Sequence, residues 1–139
     1  MEHPFQISRL DHVAINVKDM AVSIAWYERV LGLKKVEVEA WGPYPVFMLA
    51  GETGLAIFPA REEDPEVMQQ SRNVKIDHFA FTVTNQAYEA AKAHYQSLSI
   101  SFTESDHTHF YSIYTKDPDG HTVELTTSKS DSSDFYTNN

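Results

Sequence analysis

The sequence repeats itself at a fixed spacing, and this repeat restricts the possible folds more than any other feature. Residues 76–83, IDHFAFTV, match residues 10–17, LDHVAINV, almost letter for letter at an offset of 78 − 12 = 66 positions. The same offset aligns Gly54 with Gly120. A constant offset is typical of a duplicated supersecondary unit. We therefore expect two copies of one module, fused in tandem.

Each copy predicts the same order of elements, namely a strand, a helix and three more strands. Period-two alternation of apolar residues predicts the strands, and helical spacing with a following glycine predicts the first helix. In the first copy the predicted elements are a strand at 10–17, a helix at 20–31 and strands at 33–40, 46–50 and 55–58. In the second copy they are a strand at 75–83, a helix at 85–98 and strands at 100–104, 110–116 and 121–127.

These elements divide the chain into two modules within one domain. With 139 residues, the chain is long enough to bury one real core. We expect a single domain over 1–139, with a first module at 8–60, a linker at 61–73 and a second module at 74–127. The segment 128–139 is rich in Ser, Asp, Thr and Asn, which predicts a mobile tail.

Composition excludes several classes of partner. The formal net charge of −9 argues against binding to nucleic acid or to an anionic membrane surface. Cysteine is absent, so a metal would have to be held by His, Asp or Glu. No signal-peptide pattern and no membrane-spanning apolar run is found in the sequence. We expect a cytoplasmic protein.

Strand parity points to a candidate metal site. In their strands, His12, His78 and Glu124 each fall on the face with small or polar side chains, opposite the apolar face that a helix would cover. Sheets with this division would curve around a cavity for a ligand. Two imidazoles and one carboxylate form a set that leaves metal positions open for substrate. Taken singly, each His is more often a satisfied polar residue, and a Glu near a strand end is usually solvated.

The sequence resembles the vicinal oxygen chelate superfamily, which includes glyoxalase I, bleomycin resistance proteins, fosfomycin resistance enzymes and extradiol dioxygenases. The resemblance covers residues 8–127. It rests on the runs LDHVA at 10–14, WY at 26–27 with LGL at 31–33, IDHFA at 76–80 and DPDGHTVEL at 117–125.

This resemblance implies a fold, a cofactor and an assembly. The fold would be α+β, with tandem βαβββ modules and curved mixed sheets around a cavity. His12, His78 and Glu124 would hold one divalent metal per site. The protein would act on a small-molecule substrate, and it would form a homodimer in which a site is often shared between chains.

Among the members, a three-ligand metal site is favoured over a four-ligand site. Glyoxalase I-like enzymes carry a fourth ligand, a Glu, on the last strand of the first module, and the repeat offset puts Phe58 there (124 − 66 = 58). We favour a reaction like that of extradiol dioxygenases, with Fe(II) or Mn(II). These enzymes have a Tyr ten positions before the Glu ligand, where Tyr114 stands, and need an acid-base His, for which His107 and His109 are candidates.

Other functions remain open on the same residues. A glyoxalase-like lyase or isomerase, or a fosfomycin-type thiol transferase, would use the same ligands, with Zn, Ni or Co as further possible metals. The run from Ser112 to His121 is similar to that of the thiol transferases. These enzymes need basic residues for a phosphonate, and the sequence offers little near the site beyond Lys116 and Arg61. In another class altogether, a metal-free binding protein of the bleomycin resistance type would sequester its ligand.

Aromatic residues suggest where a planar substrate would bind. Trp41, Tyr44 and Phe47 lie in and after a turn rich in aromatic and proline residues, and Phe58 lies at the end of the first module. We assign these four residues to substrate binding, with ordinary packing as the alternative.

Overall fold

The computed structural model describes residues 3–129 and Tyr136. The chain forms two compact units, of which the first ends at Glu63 and the second begins at Asp64. Each unit consists of one helix and a four-stranded mixed sheet.

In the first unit the strands are ordered β1-β4-β3-β2. Strand β1 runs parallel to β4, and the other neighbours are antiparallel. A 3₁₀ turn, Glu39–Trp41, lies between β2 and β3. The elements are β1 His12–Val17, α1 Met20–Leu31, β2 Lys34–Val36, β3 Val46–Ala50 and β4 Thr53–Pro59.

The second unit repeats this topology, with the strand order β5-β8-β7-β6. Strand β5 runs parallel to β8, as β1 does to β4. The elements are β5 His78–Thr82, α2 Asn85–Ser97, β6 Thr103–Asp106, β7 Phe110–Lys116 and β8 Thr122–Ser128. Both sheets are curved, and neither closes into a barrel. The predicted α+β fold with two βαβββ modules is confirmed.

Local sequence signals explain the limits of helix α1. The side chain of Asp19 accepts a hydrogen bond from the backbone N–H of Val22 at 3.1 Å, which caps the first turn. The helix ends at Gly32, whose φ of 67° is unfavourable for residues with a side chain. Between these ends Ile24, Tyr27 and Val30 are buried, so the apolar face of the helix packs against the sheet.

The two faces of each sheet differ in burial. On the covered face of the first unit, Val17, Met48 and Ile57 are fully buried. On the opposite face of the same strands, His12 and Ala14 are exposed. Because successive residues of a strand point to opposite faces, β1 turns its apolar residues to the core and leaves His12 and Ala14 on the open face.

Several strand predictions are wrong in extent. The strands predicted at 10–17 and 75–83 begin only at His12 and His78. The strand predicted at 33–40 ends at Val36, which pairs with Phe47. Two residues further along, the antiparallel partner would be Pro45, which has no N–H to donate. The strand predicted at 100–104 begins only at Thr103. Its first residue, Ile100, donates its backbone N–H to Tyr95 at the end of α2 instead.

The predicted linker and tail have less regular structure. Residues 60–77 contain turns and bends, with neither helix nor strand among them. Of the predicted tail 128–139, the structure describes Ser128, Lys129 and Tyr136, so its predicted mobility falls outside the described residues. The ring of Tyr136 lies 5.9 Å from that of Phe110. Within residues 3–129, neither helix is long and apolar enough to cross a membrane.

Gly54 provides a test of the strand pairing in the first unit. A Cβ at this position would lie 2.1 Å from the backbone carbonyl oxygen of Met48. We expect Gly54→Ala to lower the free energy of unfolding by about 3 kcal/mol because the backbone of β3 must move. The control is Gly51→Ala in the same hairpin, where positive φ costs about 1 kcal/mol but the added Cβ meets open space. Equal losses in denaturant titrations of the two variants would contradict the predicted clash.

Candidate functional site

The open face of the second sheet brings together two of the predicted metal ligands. Glu124 in the central strand β8 pairs with Ala80 of β5 on one side and with Tyr114 of β7 on the other. The small side chain of Ala80 leaves room for the imidazole of His78, two residues earlier on the same face. Nε2 of His78 lies 3.2 Å from Oε1 of Glu124.

The second carboxylate oxygen of Glu124, Oε2, is held by a buried serine. The hydroxyl of Ser112 donates to Oε2 of Glu124 at 3.2 Å, and its Oγ lies 3.1 Å from the hydroxyl of Thr126. Ser112 is fully buried and Glu124 is 8 % exposed. Burial of a carboxylate is costly unless it is hydrogen-bonded, so Ser112 both satisfies Oε2 and turns Oε1 toward His78.

The other ring nitrogen of His78 is bound to a carboxylate. Nδ1 lies 2.8 Å from Oδ2 of Asp77, and this hydrogen bond holds the pKa of Asp77 below its usual value. A carboxylate accepts, so Nδ1 carries the proton. On the other side of the ring, Nε2 faces Oε1 of Glu124. Such a pair is stable with a proton or a cation between the two atoms.

The donor set suits a divalent metal ion. Nitrogen and oxygen ligands in adjacent positions around one such ion lie about 3 Å apart, as follows from metal–ligand bonds of about 2.1 Å. The 3.2 Å between Nε2 and Oε1 fits this separation. Within the described part of the second unit, no further His, Asp or Glu completes a group of three metal ligands. The second unit therefore offers two ligands by itself.

The third predicted ligand, His12, belongs to the first unit. Its surroundings repeat those of His78, because Nδ1 lies 2.7 Å from Oδ2 of Asp11. Its ring packs edge-on against Phe47 at 5.1 Å. His12 lies on the exposed face of its sheet, as the parity of β1 predicts. Its role as a metal ligand remains a prediction.

Tyr114 contacts both His78, a predicted metal ligand, and His107, a predicted acid-base residue. Its hydroxyl lies 2.7 Å from Nε2 of His107, and its ring lies 5.7 Å from that of His78. Burial, followed by the hydrogen bond and charge of Glu124, raises the pKa of Tyr114 to about 12. The hydroxyl is therefore protonated at neutral pH and is able to donate a hydrogen bond.

The two candidate histidines after β6 differ in surroundings. The loop that holds them turns at Thr108, which has a φ of 71°. The backbone N–H of His109 donates to the carbonyl of His107 at 2.7 Å. In an extended segment the rings of His107 and His109 would share a face. The tight turn replaces that extended backbone. The imidazole of His107 is the one that the structure places at Tyr114.

The predicted aromatic substrate residues lie on the first unit. Phe47 sits between His12 and Trp41, with 5.6 Å between the rings of Phe47 and Trp41. Tyr44 packs edge-on against Phe58 at 6.3 Å. Trp41 and Tyr44 are each about half exposed, at 48 % and 47 %. Exposed aromatic rings beside an imidazole are suited to contact a planar ligand. The assignment of these residues to substrate binding remains a prediction.

Strand register corrects one inference from the repeat. Ala14 pairs with Ala56, whereas its counterpart Ala80 pairs with Glu124. Ala56, and not Phe58, therefore occupies the position equivalent to Glu124, at an offset of 124 − 56 = 68. The connection between β7 and β8 spans residues 117–121 and that between β3 and β4 spans only 51–52, so insertions precede β8. Neither Ala nor Phe offers a metal ligand at that position.

A pocket of about 630 Å³ opens beside His78 in the second unit. Besides His78 and Tyr114, its walls include three cationic side chains, Arg72, Lys75 and Lys116. Lys116 was predicted. Arg72 was missed in the predicted linker, and Lys75 was missed at the start of the strand predicted at 75–83, which in the structure begins only at His78. Arg61, the other predicted cation, is an exposed residue of the first unit. Three cations against the one carboxylate of Asp77 in the same lining favour an anionic ligand, although the chain as a whole is acidic.

Ser112 provides a test of how Glu124 is held. We expect Ser112→Ala to lower the free energy of unfolding by about 2 kcal/mol because a buried carboxylate oxygen loses its donor. Ser105→Ala is the matched control, since Ser105 pairs with Ser112 on the edge strand β6 and is half-buried. Thermal and denaturant unfolding measure both effects. A loss in Ser112→Ala no greater than in Ser105→Ala would contradict this role of Ser112.

Comparisons with known proteins agree with the fold and the motifs. Residues 9–125 match the model of the Glyoxalase/Bleomycin resistance protein/Dioxygenase superfamily. The chain is 29 % identical to a protein named metallothiol transferase FosB from Bacillus licheniformis, over 88 % of this chain and 77 % of that protein. It is 25 % identical to glutathione transferase FosA from Serratia marcescens, over 86 % and 80 % of the two chains.

Solved structures show the same fold. A glyoxalase/dioxygenase from Nostoc punctiforme superposes with a TM-score of 0.76 at 22 % identity, covering 93 % of this chain and 97 % of the other. The fosfomycin resistance protein FosX from Listeria monocytogenes superposes with a TM-score of 0.66 at 18 % identity, covering 91 % and 98 %. Because the family model spans most of the repeat-containing region, the chain belongs to the Glyoxalase/Bleomycin resistance protein/Dioxygenase superfamily.

Proposed function

We propose that this protein is a divalent-metal-dependent transferase that joins a thiol to a small substrate bearing an oxyanion, such as a phosphonate. The observation that carries the proposal is the pocket in which His78 and Tyr114 share walls with Arg72, Lys75 and Lys116. The names of the relatives, metallothiol transferase and glutathione transferase, point in the same direction.

The proposed metal ligands are His78, Glu124 and His12. When bound, a divalent metal would act as a Lewis acid that polarises an oxygen of the substrate. The described residues fit such an ion because Nε2 of His78 and Oε1 of Glu124, each able to bind a metal, face each other at 3.2 Å. We further propose that the active form is a homodimer, as the resemblance implies; its solution mass would be twice 15.8 kDa.

The other residues would bind and orient the substrate. Arg72, Lys75 and Lys116 would attract its anionic group and neutralise part of its charge, as charge-assisted hydrogen bonds do. The protonated hydroxyl of Tyr114 would donate a hydrogen bond to a substrate oxygen next to Glu124. His107, bonded to that hydroxyl at 2.7 Å, would keep it oriented. The aromatic residues Trp41, Tyr44, Phe47 and Phe58 would bind apolar parts of a substrate.

The metal test compares purified protein without an affinity tag with two variants. We expect the protein to take up a divalent metal (Mn²⁺, Fe²⁺, Zn²⁺, Ni²⁺ or Co²⁺) in an amount stoichiometric with the site. The variants His78→Ala and Glu124→Ala are expected to lose the metal because each lacks one donor of the facing pair. Elemental analysis after reconstitution measures the metal content. The control is Glu62→Ala, which removes an exposed carboxylate of the first unit. Tight ligand binding that EDTA leaves unchanged would favour a metal-free binding protein instead.

The charge test asks whether Arg72 and Lys75, the pocket cations that the sequence did not predict, bind an anion. We expect Arg72→Ala and Lys75→Ala each to weaken binding of methylphosphonate about tenfold, which is about 1.4 kcal/mol, because a charge-assisted contact is lost. Titration calorimetry measures the affinity. Arg61→Ala makes the same charge change in the first unit and is expected to leave the affinity unchanged. If all three variants weaken binding equally, the pocket does not bind the anion.

A second candidate is a reaction like that of extradiol dioxygenases, and the hydrogen bond between Tyr114 and His107 favours it. Such enzymes need a Tyr and an acid-base His beside the metal, and Tyr114 adjoins Glu124. The two candidates separate in one assay series with metal-loaded protein. Formation of a thiol adduct from fosfomycin and glutathione or cysteine supports the transferase. Oxygen consumption with a panel of catechols, without adduct formation, supports the dioxygenase.

A further inference from the structure

The dipeptide Asp-His opens the first strand of both units with the same geometry. Oδ2 of Asp11 lies 2.7 Å from Nδ1 of His12, and Oδ2 of Asp77 lies 2.8 Å from Nδ1 of His78. Adjacent residues within a strand point to opposite faces, so such a contact is not a consequence of strand geometry. It forms because each strand begins at the His, with the Asp in the irregular segment before it.

Both aspartates are surface residues, and their contacts need an explanation. Their side chains are 66 % and 68 % exposed, and yet each is held against the neighbouring ring. Contacts of exposed charged groups are generally worth little for stability because water competes for both partners. The recurrence of this contact at equivalent positions therefore points to a role in orienting the imidazole.

A carboxylate at Nδ1 has two effects on a histidine. It fixes the proton on Nδ1, so that the lone pair of the neutral ring is on Nε2, and it restrains rotation of the ring. In the second unit this nitrogen is the atom that faces Oε1 of Glu124 at 3.2 Å. Loss of the carboxylate would allow the other tautomer, in which Nε2 carries the proton and cannot bind a metal.

We propose that Asp77 and Asp11 are positioning residues that hold His78 and His12 with Nε2 ready to bind a metal. This inference rests on the proposed metal site. Asp77 is expected to contribute more than Asp11. The guanidinium of Arg9 lies 3.5 Å from Asp11 and 3.3 Å from Glu52, and so shares the Asp11 carboxylate. The counterpart of Arg9 in the repeat is Lys75 (75 − 9 = 66), which instead donates to the carbonyl of Gln69.

The experiment measures the ring tautomer and the metal affinity separately in the full chain. Nitrogen-15 NMR of the metal-free protein reports which imidazole nitrogen of His78 carries the proton. We expect Nδ1–H in the wild type and in Asp77→Asn, whose amide oxygen still accepts, and a mixture of tautomers in Asp77→Ala. The control Glu62→Ala makes the same change of charge at an exposed position and is expected to leave the tautomer unchanged.

Competition with a chromophoric chelator then measures the affinity for Zn²⁺. We expect a loss of 10- to 100-fold in Asp77→Ala, as is typical when an outer-shell partner is removed, and a smaller loss in Asp77→Asn and in Asp11→Ala. If the wild type binds Zn²⁺ and Asp77→Ala binds it equally well with an unchanged tautomer, the positioning role is wrong and the metal site stands. A wild type that binds no metal would overturn the proposed function and this inference with it. Asp77→Asn keeps the test decisive if Asp77→Ala does not fold.

Discussion

The site depends on the meeting of an imidazole nitrogen and a carboxylate oxygen on the open face of one sheet. His78 and Glu124 come from the parallel strands β5 and β8, and a shift of one residue in their pairing would turn one of them to the covered face. Each partner is also held in place by a second group, His78 by Asp77 and Glu124 by the buried Ser112. Together these contacts present Nε2 and Oε1 to the same point.

The duplicated fold supplies the same surface twice, and the two copies have diverged. Both retain an Asp-His pair at the start of the first strand. At the position facing that pair, the second unit has Glu124, whereas the first has Ala56. Around the histidines, the second unit places cations at its pocket, and the first places aromatic rings beside His12. One supersecondary unit thus carries two different chemical surfaces.

Much of this arrangement could be predicted from the sequence because it follows from periodicity. Helix α1 and strands β3 and β7 begin and end where the apolar pattern and the turn residues place them. The faces of His12, His78 and Glu124 follow from strand parity. The contact between Tyr114 and His107 could not be derived this way, since it depends on the loop turn at Thr108.

Irregular segments account for the other differences. Arg72 lies in the predicted linker and Lys75 in a stretch that was predicted as strand but is irregular, so no sequence pattern shows that either side chain lines the pocket. Phe58 was aligned with Glu124 because a constant offset ignores the longer turn before β8, which only the register of paired strands reveals. Pro45, which precedes the partner strand β3, ends the pairing of β2. This end can be predicted only when it is known which strands pair.

The most direct test of the proposed metal site is anomalous-difference crystallography on crystals grown with Mn²⁺. If these residues hold the metal, we expect one strong anomalous peak about 2.1 Å from both Nε2 of His78 and Oε1 of Glu124, with Nδ1 of His78 still bound to Asp77. A metal-loaded crystal with no peak between these two atoms, or with its peak at another group of side chains, would contradict it.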